Sequence, residues 1–308
     1  MPPGAVTKLH CGRGAALAVL LAACAGAPAT YEPGDLSPAQ RELCKKVERA
    51  YRGQDPEYGR IRDGAVADPV VAAWLARMFV VDLIHQREGR PLGADEDLLR
   101  AAARIDNPAE VRAIAEIVAL GGRAVPVLVG DLLQHAQPQP RELGVELLAR
   151  IGGAAVPALR EVLANGQPKA RRAAARAIGA IGVDAVSLAL LRRMALDGDY
   201  ALRADALRAL RSGGPPACDL LLDRLRNDDD AFVRRVAAQA LAQFRSRAVA
   251  EALIDHLERC KHDGDVQGEL GAQQSLQALA GTRGMRTVDA WRMFARDIAA
   301  DGGAHERP

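Results

Sequence analysis

"KARRAAARAIGAIGVDAVSLALLRRM", residues 169–194, carries two apolar stripes separated by a break. Ile178 and Ile181 lie three apart, and Leu190 and Met194 four apart, so each pair falls on one face of a helix. The intervening "IGVD" (181–184) is turn chemistry, as are "GG" at 121–122 and 152–153 and "SGGPP" at 212–216. The pattern recurs along the chain. Leu128, Leu159, Leu190, Leu221 and Leu253 form one rung, separated by 31, 31, 31 and 32 residues. Leu132, Leu163, Met194, Leu225 and Leu257 form a second rung at the same separations. The helix before each rung repeats Ile117, Leu148, Ile178, Leu210, Leu241 and Leu276, and three residues on come Leu120, Ile151, Ile181, Gly213, Phe244 and Leu279. Neither helix of a pair can bury its stripe alone, but stacked neighbours can. The spacing predicts an all-α fold: an α-solenoid of about six helical hairpins over residues 106–300.

Two first helices, "KARRAAARAIGAIG" (169–182) and "AFVRRVAAQALAQF" (231–244), resemble those of HEAT repeats, in the short bacterial form also called lyase-like. Arg141, Arg171, Arg203 and Arg234 stand where that family has its arginine, and Asp199/Arg203 and Asp230/Arg234 keep its acid-before-arginine spacing. The resemblance implies that these arginines bridge neighbouring units through the preceding acids rather than bind phosphate. The first repeat departs from the pattern, with Glu110 at the arginine position, and "CKHDGD" (260–265) lengthens the sixth. The ending "LQALAGTRGMRTVDAWRMFARD" (276–297) resembles the close of many bacterial HEAT proteins. That implies that Trp291 and Phe294 seal the end of the core rather than line a ligand site.

The start of the chain states an address. Lys8 and Arg13 precede the unbroken apolar run "AALAVLLAA" (15–23). A helix of that length rises only ~14 Å against a hydrocarbon core of ~30 Å, so the run reads as a secretory signal rather than a span. Its tail, Leu21-Ala22-Ala23-Cys24, resembles the lipobox of bacterial lipoproteins, which implies cleavage before Cys24 and diacylglycerol on its thiol. Ala25 in place of Asp would, in that family, favour the outer membrane. The alternative is ordinary cleavage after Ala27 or Ala29 and a soluble periplasmic or secreted protein. The expected organisation is a signal at 1–23, a Pro/Gly/Ala tether at 24–36, an N-terminal helical cap at 37–105, repeats at 106–300 and a disordered tail at 301–308. Within the cap, helices are expected at 36–52, at 68–86 with Asp68 as N-cap, and at 94–105.

Composition narrows the function. Removing Lys8 and Arg13 with the signal lowers the basic count from 41 to 39, equal to the 39 acids. A nucleic-acid partner is not expected at that balance, and a basic channel like that of HEAT-like DNA glycosylases has no source. Hydrophobic residues make up 49% of the chain and aromatics 3%, which supplies a core with little strand vocabulary. Cys44, Cys218 and Cys260 are too few and scattered for a disulfide framework and read as small buried residues, although an exported protein could pair two of them.

No GxGxxG, P-loop, HExxH or GxSxG occurs, so no catalytic residue, metal or cofactor is expected. The best metal candidate, "HLERCKHDGD" (256–265), offers His256, Cys260, His262, Asp263 and Asp265, but two ligands would come from a linker. "NDDD" (227–230) reads as capping for the helix after it rather than a calcium loop. The expectation is a non-enzymatic protein-interaction scaffold, lipid-anchored in the bacterial cell envelope. The alternative is an enzyme related to bilin lyases, whose repeats these resemble. Reading two and three residues past the first rung places Gly130/Asp131, Glu161/Val162, Arg192/Arg193, Asp223/Arg224 and Asp255/His256 on the partner face. It runs acidic, basic, then mixed, with Arg192 and Arg193 as its densest positive point, which suits a protein or peptide of mixed charge. Glu161, Arg192, Arg193, Asp223, Arg224, Asp255 and His256 are the candidate contacts.

Overall fold

The computed structural model describes residues 36–87, 107–284 and 287–298. The signal, Cys24, the helix expected at 94–105 and the tail lie outside them. Among the described residues the chain is helical and strand-free. It divides into two compact units, Met1–Ala155 and Val156–Pro308.

In the first unit, α1 (Pro38–Arg52) begins with a capping box in which Ser37 and Gln40 exchange hydrogen bonds. A short α2 (Tyr58–Ala65) follows, absent from the sequence reading. Tertiary contacts hold it: the Tyr58 ring lies 5.5 Å from that of Tyr51, and its hydroxyl donates to Glu116 at 2.7 Å. Helix α3 (Pro69–Arg87) starts under Asp68, which accepts from the Val70 amide at 2.8 Å as expected. By length and composition α3 could cross a membrane. Val71, Leu75, Phe79 and Leu83 are instead fully buried in protein, and Arg77 and Arg87 reach acids on later segments. It is the core helix of this unit.

Against α3 pack α4 (Pro108–Leu120) and, through a 3-10 turn at Gly121–Arg123, α5 (Val125–Val127) with the π-helical segment Leu128–Leu133. The wider π turn buries Leu128, Leu132 and Leu133 together. It also turns Asp131 onto Arg77, 2.7 Å away, so Asp131 belongs to a tie within the unit rather than to a partner face. Helix α6 (Pro138–Ile151) completes the unit. Glu110, the residue in the arginine's place, is buried and accepts from Arg87, which also forks onto Glu146. The first repeat therefore reverses the polarity of the bridge and borrows its cation from α3.

The second unit contains α7 (Val156–Asn165), α8 (Pro168–Ile181), α9 (Ala185–Met194), α10 (Tyr200–Leu210), α11 (Pro215–Asn227), α12 (Ala231–Leu241), α13 (Arg247–Asp263), α14 (Val266–Ala280) and α15 (Val288–Asp297). First helices α8, α10, α12 and α14 pack in one row, and α9, α11 and α13 each pack mainly on the first helix of the next repeat, α10, α12 and α14. Ile178, Leu210, Leu241 and Leu276 are fully buried, as their repeat predicts. One rung needs correction. In α9 the fully buried residue is Leu191, not Leu190, and Ser187 is buried with it. Arg160 of α7 donates to the Ser187 hydroxyl and to Asp184, which favours this face of α9 over the more apolar one.

The first helices approach closely where Gly179 faces α10: a Cβ there would stand 2.8 Å from the Ala209 Cα. Backbone cannot yield as a side-chain tip can, so Gly179→Ala is expected to destabilise the unit by roughly 1–3 kcal/mol. Gly64→Ala, in open space on α2, should be neutral or mildly stabilising. Urea midpoints of the two variants test the contrast; equal midpoints would mean that α8 and α10 are free to separate.

Candidate interaction face

The family arginines occupy the loop edge of the repeats and are engaged there. Arg141 donates to the His135 and Ala136 carbonyls, Arg203 to those of Asp197 and Gly198, and Arg234 to those of Asp228 and Asp229. Each thus braces the loop leading into its own helix. Two also reach forward to the next repeat: Arg171 to Asp197 at 3.1 Å, and Arg203 to Asp228 through a bidentate pair at 2.9 and 3.0 Å. Bridging is as expected, but not through the expected acids. Asp199 and Asp230 are N-caps, accepting from the Ala201 amide and from the Phe232 and Val233 amides. The stretch "NDDD" therefore both caps α12 and supplies Arg203 with a buried counter-ion. Burial of Asp228 opposes its ionisation, but the Arg203 hydrogen bonds, the Asp230 amide and the Arg203 charge together outweigh this and hold the carboxyl below its usual range.

The former metal candidate is split: His256 and Cys260 are buried in the core, whereas His262 and Asp263 are exposed. "CKHD" is not a linker; α13 runs unbroken to Asp263 and ends on Gly264 in the left-handed region. His256 is 2% exposed, which removes it from the partner face. Its ring sits 3.6 Å from the Cys260 thiol, itself buried. Among the described residues no group of three or more His, Cys, Asp or Glu is placed to hold a metal. Cys44, Cys218 and Cys260 are free thiols.

Burial, then the charges of Arg259 and Arg234, lower the His256 pKa from 6.5 to about 4. The unfolded chain therefore takes up a proton near pH 6.5 that the folded chain refuses until about pH 4. Stability from the neutral imidazole is complete above pH 6.5 and is lost as pH falls towards 4, by roughly 3 kcal/mol at full extent. His256→Leu should flatten that part of the pH–stability profile. An unchanged acid limb in the variant would mean that other groups cause the loss.

On the second helices, the register set by Leu159, Leu191, Leu221 and Leu253 gives the outward row two residues on: Glu161, Arg193, Asp223 and Asp255. Glu161, Arg193 and Asp255 are exposed and Asp223 is half-buried. Val162 is buried beside this row. Arg192 is exposed but donates to the Pro216 carbonyl of the next repeat. Arg224 pairs with Asp223 at 2.6 Å and lies 3.6 Å from Asp228. The structure thus keeps part of the sequence-expected set on one row and turns Arg192, Arg224 and His256 inward or sideways.

The profile described as HEAT repeats matches residues 125–211 and again 195–277. This is a HEAT-repeat protein. Its helical hairpins and arginine bridges are those repeats in physical form. The HEAT-repeat chain is also similar to phycocyanobilin lyase subunit beta of Thermosynechococcus vestitus, 37% identical over 116 residues. That stretch covers 37% of this chain and spans about half, 53%, of the relative.

Proposed function

We propose that this HEAT-repeat protein is a non-catalytic interaction scaffold, lipid-anchored through Cys24 in the bacterial envelope, that holds a protein or peptide on its second-helix row. The observation that carries the reading is the division of labour among charges. The family arginines are engaged with loop carbonyls and buried acids, whereas Glu161, Arg193 and Asp255 point outward. A row that carries both signs favours a partner of mixed charge. Crosslinking in native envelopes, with and without Arg193→Glu, tests it. A captured partner should be lost in the variant and weakened by salt, since exposed charges contribute little to the fold. A partner retained at full strength by both this variant and Asp255→Lys sinks the row. Anchoring is tested separately: Cys24→Ala should move the protein from the membrane to the soluble fraction and abolish palmitate labelling.

The similarity to a phycocyanobilin lyase subunit supports a second reading, an enzyme related to bilin lyases. Mixing the purified protein with phycocyanobilin separates the two. A shifted visible absorbance and chromophore transfer to an acceptor protein favour the enzyme; an unchanged spectrum favours the scaffold.

A further inference from the structure

The outward stripes of the first helices carry a pattern that neither reading uses. In α8, α10 and α12 the sequence supplies one carboxylate, Asp205, and it is buried. The outer positions hold Lys169, Arg172, Arg176, Arg208, Arg211 and Arg235. Arg172 and Arg208 share Asp205, at 2.6 and 2.7 Å, so that this pair of guanidiniums keeps an unbalanced positive charge. Arg235 lies 3.4 Å from Asp265. The acids of the adjoining loops are already committed: Asp199 and Asp230 cap helices, and Asp197, Asp228 and Asp229 face Arg171 and Arg203.

Two aromatic rings sit within this basic field. Tyr200 is 52% and Phe232 36% exposed, and they meet edge to face at 6.3 Å. The guanidinium carbons of Arg208 and Arg235 lie 5.2 and 5.9 Å from the centre of the Phe232 ring. Stacking and the Asp205 clamp fix the arginine planes in advance, so little side-chain entropy remains to be lost on binding.

We propose that the outer face of α8, α10 and α12 is a docking surface for an acidic protein segment. Planar, pre-positioned guanidiniums match carboxylates in bidentate pairs, and Arg with exposed aromatics is the composition of interface hot spots. A bilayer surface fits less well, because the Phe232 ring is flanked by guanidiniums rather than presented to an apolar phase. This surface is separate from the second-helix row, and its test does not depend on that row.

The test measures anisotropy of a labelled Glu/Leu peptide, and of its Gln/Leu counterpart, against the purified protein at low and physiological salt. The Glu peptide should bind and weaken with salt, and the Gln peptide should not bind. Arg172→Gln/Arg211→Gln should weaken binding by about tenfold or more. Arg211→Gln alone, at an exposed position, should weaken it less while leaving the circular dichroism unchanged. Phe232→Ala should also weaken it, and Arg193→Glu on the other row should not. Equal binding of the two peptides, or indifference to the arginine variants, overturns the proposal. So does binding of phosphatidylglycerol vesicles or a single-stranded oligonucleotide without the Glu peptide, which would assign the face to lipid or nucleic acid.

Discussion

Arg203→Met is expected to lower the stability of the second unit by about 3–5 kcal/mol, because it leaves a buried carboxylate without its main partner. The Asp228 side chain is wholly buried, and Arg203 supplies both of its close guanidinium contacts, at 2.9 and 3.0 Å. Only Arg224 remains near, at 3.6 Å, and the Asp230 amide at 3.1 Å. Methionine preserves much of the arginine volume, so the loss reports the charge rather than a cavity. Adding Asp228→Leu to the same chain should recover a substantial part of it, because two apolar groups are often no worse than a buried ion pair. The pH dependence gives an independent check. In the wild type the Asp228 pKa is lowered, so its contribution is present above the unfolded carboxylate range and lost as pH falls through the folded value. In Arg203→Met the carboxyl loses the bonds that hold it down, and protonation relieves the penalty. The two proteins should converge in acid. A constant difference from pH 7 to pH 3 would show that Arg203 acts through its carbonyl bonds to residues 197 and 198 instead.

Trp291→Ala should cost a similar amount, about 3–5 kcal/mol, with the loss confined to the second unit. The side chain is completely buried where α15 packs on α13, with Phe294 edge-on at 6.3 Å. The Thr287 cap on the Ala290 amide and the 2.7 Å pair of Arg292 with Glu258 hold the helix around it. Among the described residues the buried indole N–H has no hydrogen-bond partner. Trp291→Phe therefore removes an unsatisfied donor along with some volume and should be milder than the alanine change. The chain has two tryptophans, and the other, Trp74, lies on α3 of the first unit. In Trp74→Phe, fluorescence reports the second unit alone; in Trp291→Ala, it reports the first. Thermal unfolding of Trp291→Ala monitored at Trp74 should be unchanged if the units unfold separately. An unaltered midpoint in the second unit by circular dichroism would mean that Trp291 is an appendage rather than a seal.

Sequence alone determined the fold class because the information is local. Stripes three and four residues apart, broken by glycine turns and repeated about every 31 residues, leave paired helices as the way to bury Ile117, Leu148, Ile178, Leu210, Leu241 and Leu276. All six are fully buried. Caps were legible for the same reason, since Asp68 and Asp230 act within three residues. What local pattern could not decide was the fate of half-polar positions. Helix α9 offers both Leu190 and Leu191, and Ser187 with its partner Arg160, 27 residues earlier, goes with the second of them. His256 reads as an exposed residue near a helix end until α13 is seen to continue to Asp263. The acids set before the arginines look like their partners, yet Arg203 is satisfied by Asp228, 25 residues on. Helix α2 is short and polar and exists because Tyr51 and Glu116 receive Tyr58. In each case a polar group can enter the interior only if a complementary one arrives there too, and its place is set by the packing of the next repeat rather than by its neighbours in sequence.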